Sequence, residues 1–420
     1  MVEELKILII NRKEQIFSRN TTIVNILESL KSKTKVEELW ILADSGKDIS
    51  GYKSKPLEFN YRFFEDYKTD DVIEILEKEK PDVIFTLNDY EFVVRSFVLA
   101  AKFKKIPTIL SLQSGFGEVY FERDISIKSR FSILRQRGGF ILKKYRLLLK
   151  TYRKTGYGFA KIIKIMMEDA IKPFLYSELA GRYGCDLILV VNQYMVDLLR
   201  NKGVRSKIVV TGDPVMDTIY RNISKYKKQD SLRSRMKVVL MTTATVEHGI
   251  WTKKMWEETI KQTVTTICKE FSNEIDLVLK IHPRSERIED YTELLQKIGV
   301  HIPILQTENL MDVINNADIV ISYAESWGLW EVLFLEKPII IVNLFNYPVE
   351  KMPFVKEGVA YELKNMHEFR NLISKIKNEK HNKEKINMMI SKYIFKFDNK
   401  SSERSALAIL ELLKDFKIHQ

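Results

Sequence analysis

The chain has 420 residues, 45% of them hydrophobic and 30% charged, with a formal net charge of +12. That balance excludes a largely disordered chain, and a single core stops growing at about 250–300 residues, so two domains are expected. Only Cys185 and Cys268 are present, far apart and outside any CxxC pattern, which excludes a disulfide framework and a structural zinc and suits a reducing compartment.

The chain opens MVEELKILIINR, whose acidic pair and short apolar run make a poor signal peptide. No stretch of about 18 uncharged apolar residues follows, so no transmembrane helix is expected. Strands are predicted at 6–10, 37–43, 81–87, 108–112, 185–191 and 207–211, each a short β-branched or continuously apolar run. Helical spacing separates them at 20–32, 69–79, 89–104 and 193–201. A second series places strands at 237–242, 276–281, 302–305, 318–322 and 338–342, with helices at 252–271, 288–298, 309–316 and 327–336. Strands alternating with helices predict parallel sheets covered on both faces. The expected division is a first domain over 1–212, a polar basic linker over 213–235, a second domain over 236–395, and a C-terminal segment over 396–420. The helix in that last segment is expected to return to the first domain.

Residues 118–180 interrupt the alternation. The segment is too long for an ordinary α/β connection of about 2–6 residues, and basic and apolar residues interleave along it. Amphipathic helices of this composition lie in a membrane interface with cations toward anionic headgroups. The competing reading is a helical hairpin over the sheet with solvated cations. Nucleic acid is not expected, since no recognised module accompanies the charge.

The chemistry-bearing residues cluster at predicted strand ends, where open α/β sheets bind ligands. Lys280, His282 and Arg284, in the run Lys-Ile-His-Pro-Arg, are candidate donors to a diphosphate, with His282 charged when phosphate is bound. The second cluster follows the strand ending at Ser322. There Glu325 or Ser326 is expected to cap a helix whose start, near Gly328, forms an anion site, and Glu331 sits one turn in, where a carboxylate accepts both hydroxyls of a ribose. A third loop carries Thr243, Thr245 and His248. Each group also has a plainer reading, as basic loop, helix cap, solvated face or turn.

These landmarks resemble the donor domain of GT-B glycosyltransferases, in particular surface-polysaccharide, capsule, sialic-acid and CDP-glycerol-type transferases; UDP-N-acetylglucosamine 2-epimerases share that fold. The resemblance rests on Lys280-x-His282-Pro283, on Ser322, Ser326, Glu331 and Lys337-Pro338, and on Thr211-Gly212-x-Pro214-x-x-Asp217. It implies two Rossmann-like doubly wound domains facing a cleft, with the basic helical insert in the first. It also implies donor phosphate on the histidine and the serine loop, and ribose on the glutamate.

Related chains often carry Gln-His-Gly on the acceptor side, where this chain has Gln113-Ser114-Gly115. The base that takes the acceptor proton is therefore sought among Asp89, Glu91 and Glu118. No DxD-type pair suggests a metal, and no cofactor is expected beyond the nucleotide-sugar donor itself. The expected activity is transfer of a sugar or related unit to a surface-glycan or lipid-linked acceptor, by a cytoplasmic protein peripheral on the inner face of the membrane. A UDP-sugar 2-epimerase and a non-catalytic scaffold subunit are the rivals. The arginine- and glutamate-rich loop of the epimerases is not evident at 242–249.

Overall fold

The structure, a computed structural model, describes residues 4–43, 60–113, 144–175, 180–226, 234–247, 249–283, 285–379 and 382–418. The chain divides into two compact units, Met1–Tyr220 with Ser391–Gln420, and Arg221–Ile390.

The first unit carries seven parallel strands: β1 (Leu5–Asn11), β2 (Val36–Leu42), β3 (Tyr61–Phe63), β4 (Val83–Thr86), β5 (Thr108–Leu112), β6 (Leu187–Val190) and β7 (Lys207–Val210), in the order β3-β2-β1-β4-β5-β6-β7. Strand side chains alternate between faces, so Ile7 and Ile9 enter one core while Leu8 and Ile10 enter the other. Helix α1 (Lys13–Lys31) covers the first face, and α2 (Val72–Glu79) with α3 (Phe92–Phe103) covers the second. The short edge strand β3 escaped the sequence reading because three residues carry too little pattern.

The described part of the insert is helical, in α4 (144–154) and α5 (Phe159–Leu175). Three of its cations turn back onto the unit's own carboxylates: Lys144 meets Glu91 at 2.7 Å, and Lys150 and Lys154 pair with Asp70 and Asp71. Helices α6 (Gln193–Asn201) and α7 (Pro214–Ile223) follow, so the stretch expected as linker begins as a helix of the first unit.

The second unit is a six-stranded parallel sheet of β8 (Met236–Met241), β9 (Ile275–Lys280), β10 (Ile304–Leu305), β11 (Ile319–Ser322), β12 (Ile339–Val342) and β13 (Tyr361–Leu363), in the order β10-β9-β8-β11-β12-β13. Its helices are α8 (Lys253–Glu270), α9 (Ile288–Lys297), α10 (Leu310–Asn315), α11 (Leu329–Phe334), α12 (Pro353–Lys356) and α13 (Phe369–Asn378), and α14 (Lys383–Tyr393) starts in this unit and runs past its boundary at Ile390. Val238, Leu240, Leu277, Leu279, Ile319 and Ile321 form the sheet side of one core, closed by α8, α9 and α13. In both sheets the strand order reverses beside the first strand, at β1/β4 and β8/β11. These are the switch points at which doubly wound sheets open a crevice at their carboxyl ends.

The last helix, α15 (Ser401–Ile418), buries Ala406, Ile409 and Leu413 against the core that α1 also covers. Asp217 accepts from the Ser401 and Ser402 backbone N–H groups at 3.1 and 2.7 Å and from the Ser402 hydroxyl at 2.6 Å, which caps α15. Gly212 has φ +83°, and a Cβ there would lie 2.6 Å from Ser401 Oγ. The Thr-Gly-x-Pro-x-x-Asp segment therefore seats this helix on the first unit. Among the described residues no helix is long and apolar enough to cross a membrane.

Candidate functional site

At the β8/β11 switch point the loops after β8, β9 and β11 share the carboxyl edge of the second sheet. Their common anchor is Glu286, which the sequence reading did not single out. This buried carboxylate accepts from the His282 backbone N–H at 2.6 Å, the Tyr291 hydroxyl at 2.6 Å and the Tyr323 hydroxyl at 3.3 Å, and from the Thr242 hydroxyl. The single Tyr323 hydroxyl proton is shared between Glu286 and the Thr243 carbonyl, the latter at 3.0 Å, Trp256 Nε1 donates to Tyr291, and Trp251 stacks on Tyr323. Burial, and then the Glu286 charge, push the Tyr291 hydroxyl far above its ordinary range, so it stays protonated and donating. One carboxylate thus holds three loops in register. Its only sequence signal is its place four residues past His282.

On this frame the residues predicted from sequence separate. Lys280 is buried, and its ammonium donates to the Ile281 and Gln306 carbonyls at 3.2 and 2.8 Å, with burial lowering its pKa. It braces the end of β9, a correction to its expected role as a phosphate donor. His282 is half-buried, and its Nδ1 accepts from the Ser285 N–H at 3.1 Å. This bond fixes the ring's orientation at the end of β9. Arg284 and His248 lie outside the described residues.

Ser322 donates to the Ala324 carbonyl at 2.7 Å and is buried, so it shapes the turn and is not a ligand group. Glu325 accepts from the Phe354 and Val355 N–H groups at 2.7 and 3.3 Å. It thereby caps α12, in place of the expected donor contact, and burial drives its pKa well up. Neither Glu325 nor Ser326 caps α11: the cap position is Gly328, without a side-chain hydrogen bond, and α11 is only six residues long. The expected dipole site shrinks with it, because the macrodipole is a sum over aligned peptides. Gly328 is needed for close approach, since a Cβ would sit 2.8 Å from Leu310 Cδ2 and 3.4 Å from Met241 Sδ.

Four groups at this edge remain uncommitted. Ser326 is half-buried, with its hydroxyl in no hydrogen bond to a described residue. The hydroxyls of Thr243 and Thr245 are buried without a partner among the described residues. Glu331, in the first turn of α11, meets no cation or donor among them either, and burial raises its pKa to about 7.

In the first unit the candidate bases are otherwise employed. Asp89 is fully buried and accepts from the Gly181 and Tyr183 N–H groups at 2.8 and 2.9 Å. Glu91 caps α3 through the Val93 and Val94 N–H groups and pairs with Lys144. Gln113, expected on the acceptor side, is buried and donates to Thr211 Oγ1, the Gly212 carbonyl and Ser405 Oγ. Asp89 and Glu91 are thus held by backbone N–H groups, and Gln113 by two hydroxyls and a carbonyl, so each anchors its own unit where an acceptor-side role was expected. Ser114, Gly115 and Glu118 lie outside the described residues.

A protein-family profile described as UDP-N-acetylglucosamine 2-epimerase matches residues 184–352, less than half of the chain. No curated protein matches by sequence. Among solved structures, the chain is similar to S. aureus MnaA with UDP, at 14% identity and TM-score 0.54, covering 98% of this chain and 97% of that one. It is similar to Neisseria meningitidis UDP-GlcNAc 2-epimerase bound to UDP-GlcNAc, at 13% identity and TM-score 0.53, covering 98% and 100%. It is also similar to a glycosyltransferase from Rickettsia africae, at 12% identity and TM-score 0.52, covering 98% of each chain. Identities this low show the fold alone: two doubly wound parallel-sheet units in one polypeptide, the GT-B type of fold.

Proposed function

We propose that the second unit binds a nucleotide-diphosphate sugar at its carboxyl edge, and that the protein transfers the sugar to a hydroxyl of a surface-glycan or lipid-linked acceptor. Glu331 is the observation that carries this reading. A carboxylate held half-buried with no protein partner among the described residues suits a ligand that brings its own donors, as the two hydroxyls of a ribose do. Ser326, Thr243 and Thr245 offer hydroxyl donors to the diphosphate from the neighbouring loops, and His282 follows β9 at the same sheet edge. In the transfer, the bond from the anomeric carbon to the diphosphate breaks, a bond to the acceptor oxygen forms, and the acceptor proton passes to a base. Glu118 is proposed for that base on the sequence reading.

The family match over 184–352 favours a second reading, 2-epimerisation of a UDP-sugar at the same nucleotide site. Both readings are tested on the purified full chain with UDP-, GDP-, CMP-, CDP- and TDP-linked sugars. The expected result is thermal stabilisation by one nucleotide class, diminished in His282→Ala and Glu331→Ala; ligand at a hundredfold excess over Kd contributes about 2.7 kcal/mol. The stabilising donor is then incubated in D2O. A 2-epimerase exchanges the C2 hydrogen without an acceptor, whereas a transferase leaves C2 intact. No stabilisation by any donor would overturn both and favour the non-catalytic scaffold.

A further inference from the structure

The nucleotide site leaves the basic insert unexplained, and α5 presents its most unusual surface. Phe159, Ile163, Met166 and Met167 are 71%, 41%, 39% and 62% exposed. Their spacing, i, i+4, i+7 and i+8, places all four on one helix face. These four make one contiguous stripe, which marks an interaction surface.

The face turned toward the protein is separate and firmly tied. Ile162 is buried with Leu148 and Tyr152, and Asp169 accepts from Arg95 Nη1 at 2.8 Å in a buried ion pair. Arg95 also donates to the Tyr152 hydroxyl at 2.7 Å, and its guanidinium lies 4.0 Å from the Tyr183 ring centroid. The outward stripe is therefore presented by a fixed helix. At the turn entering α5, a Cβ added to Gly156 or Gly158 would meet nothing within 4 Å, while Tyr157 between them packs on Tyr152.

We infer that α5 lies in the headgroup region of an anionic lipid surface, with Phe159, Ile163, Met166 and Met167 inserted. The charge selects lipid as the occupant. Over 144–169 the sequence has seven cations against two carboxylates. Lys144, Lys150 and Lys154 are spent on internal pairs, but Arg146, Arg153, Lys161 and Lys164 are exposed and make no ion pair among the described residues. An apolar stripe with cations beside it is the pattern of an interfacial helix, whose binding sums apolar insertion and attraction to anionic headgroups. Each part alone gives weak, reversible binding, so both are required. The inference is independent of the nucleotide reading and places the lipid contact on the first unit.

The test is co-sedimentation of the full chain with vesicles of phosphatidylcholine alone and of phosphatidylcholine mixed equally with phosphatidylglycerol. Wild type is expected to sediment with the anionic vesicles only and to be released by salt. Phe159→Ser with Met167→Ser, and separately Lys161→Glu with Lys164→Glu, should each weaken binding about tenfold or more. All four side chains are exposed, so the fold is expected to survive, which circular dichroism and an unchanged melting temperature would verify. A Phe159→Trp probe should show a blue-shifted emission quenched by brominated lipid. Wild type remaining in solution with both vesicles, or binding unaltered in the serine variant, would overturn the inference. So would a dimer in sedimentation velocity that the serine variant dissolves, because the stripe would then belong to a second copy of the chain.

Discussion

Glu331→Gln tests the site through stability as well as binding. In the folded chain burial raises this carboxyl from its ordinary 4.5 to about 7, so the folded state holds the proton more tightly than the unfolded state. For a raised acid, the stabilising contribution is complete below about pH 4.5 and is lost as pH rises to about 7. Above that, the ionised and unpartnered group costs the difference between the two values at 1.36 kcal/mol per pH unit, about 3 kcal/mol. Glutamine keeps the shape and removes the charge. The variant is therefore expected to be more stable than wild type by up to about 3 kcal/mol at about pH 8, and nearly equal to it at about pH 4.5. Urea unfolding followed by tryptophan fluorescence suits the measurement, because Trp251, Trp256, Trp327 and Trp330 all lie in the second unit and only Trp40 lies in the first. If a ribose diol donates to the ionised carboxylate, nucleotide affinity in wild type rises with pH through about 7 and is weak and flat in the variant. Equal stability of the two proteins at both pH values would refute the reasoning, since Glu331 would then be solvated or paired.

Glu286→Ala should destabilise the second unit by about 3 kcal/mol or more, because it strands the buried Tyr291 hydroxyl and His282 N–H and removes the acceptor of the Thr242 hydroxyl; denaturant unfolding measures it. Gly328→Ala pushes a methyl against Leu310 and Met241 and is expected to cost about 1–3 kcal/mol while reducing stabilisation by nucleotide. Asp217→Ala removes the cap of α15 and should cost about 2 kcal/mol, seen as early exchange of the Ser401 and Ser402 amides. Asp89→Ala should lower the stability of the first unit by about 2 kcal/mol yet leave stabilisation by nucleotide unchanged, which separates an anchor from a base.

The two parallel sheets were legible because their strands are short, uninterrupted apolar runs such as Ile319–Ser322 and Ile339–Val342, each delivering a polar loop at its end. What the loop residues do was less legible. Lys280 and His282 stand two apart at one strand end, yet the buried ammonium braces two carbonyls while the imidazole accepts from the Ser285 N–H, because burial lets an ammonium persist only where carbonyl oxygens satisfy it. Asp89 looked like an acid in an exposed loop and proved to be a buried acceptor for backbone N–H groups more than ninety positions away.

The sequence by itself determined the fold class, since a two-unit α/β pattern follows from local periodicity and strand-end composition, which need no long-range information. It also determined that charge and apolar residues concentrate in the insert. Tertiary structure alone decided which carboxylates are anchors and which is left for a ligand. Glu286 and Glu331 are both glutamates close to the same sheet edge; four donors converge on the first, and none among the described residues reaches the second. That difference lies in desolvation and hydrogen-bond geometry, which depend on residues brought together by folding and not on neighbours in the chain.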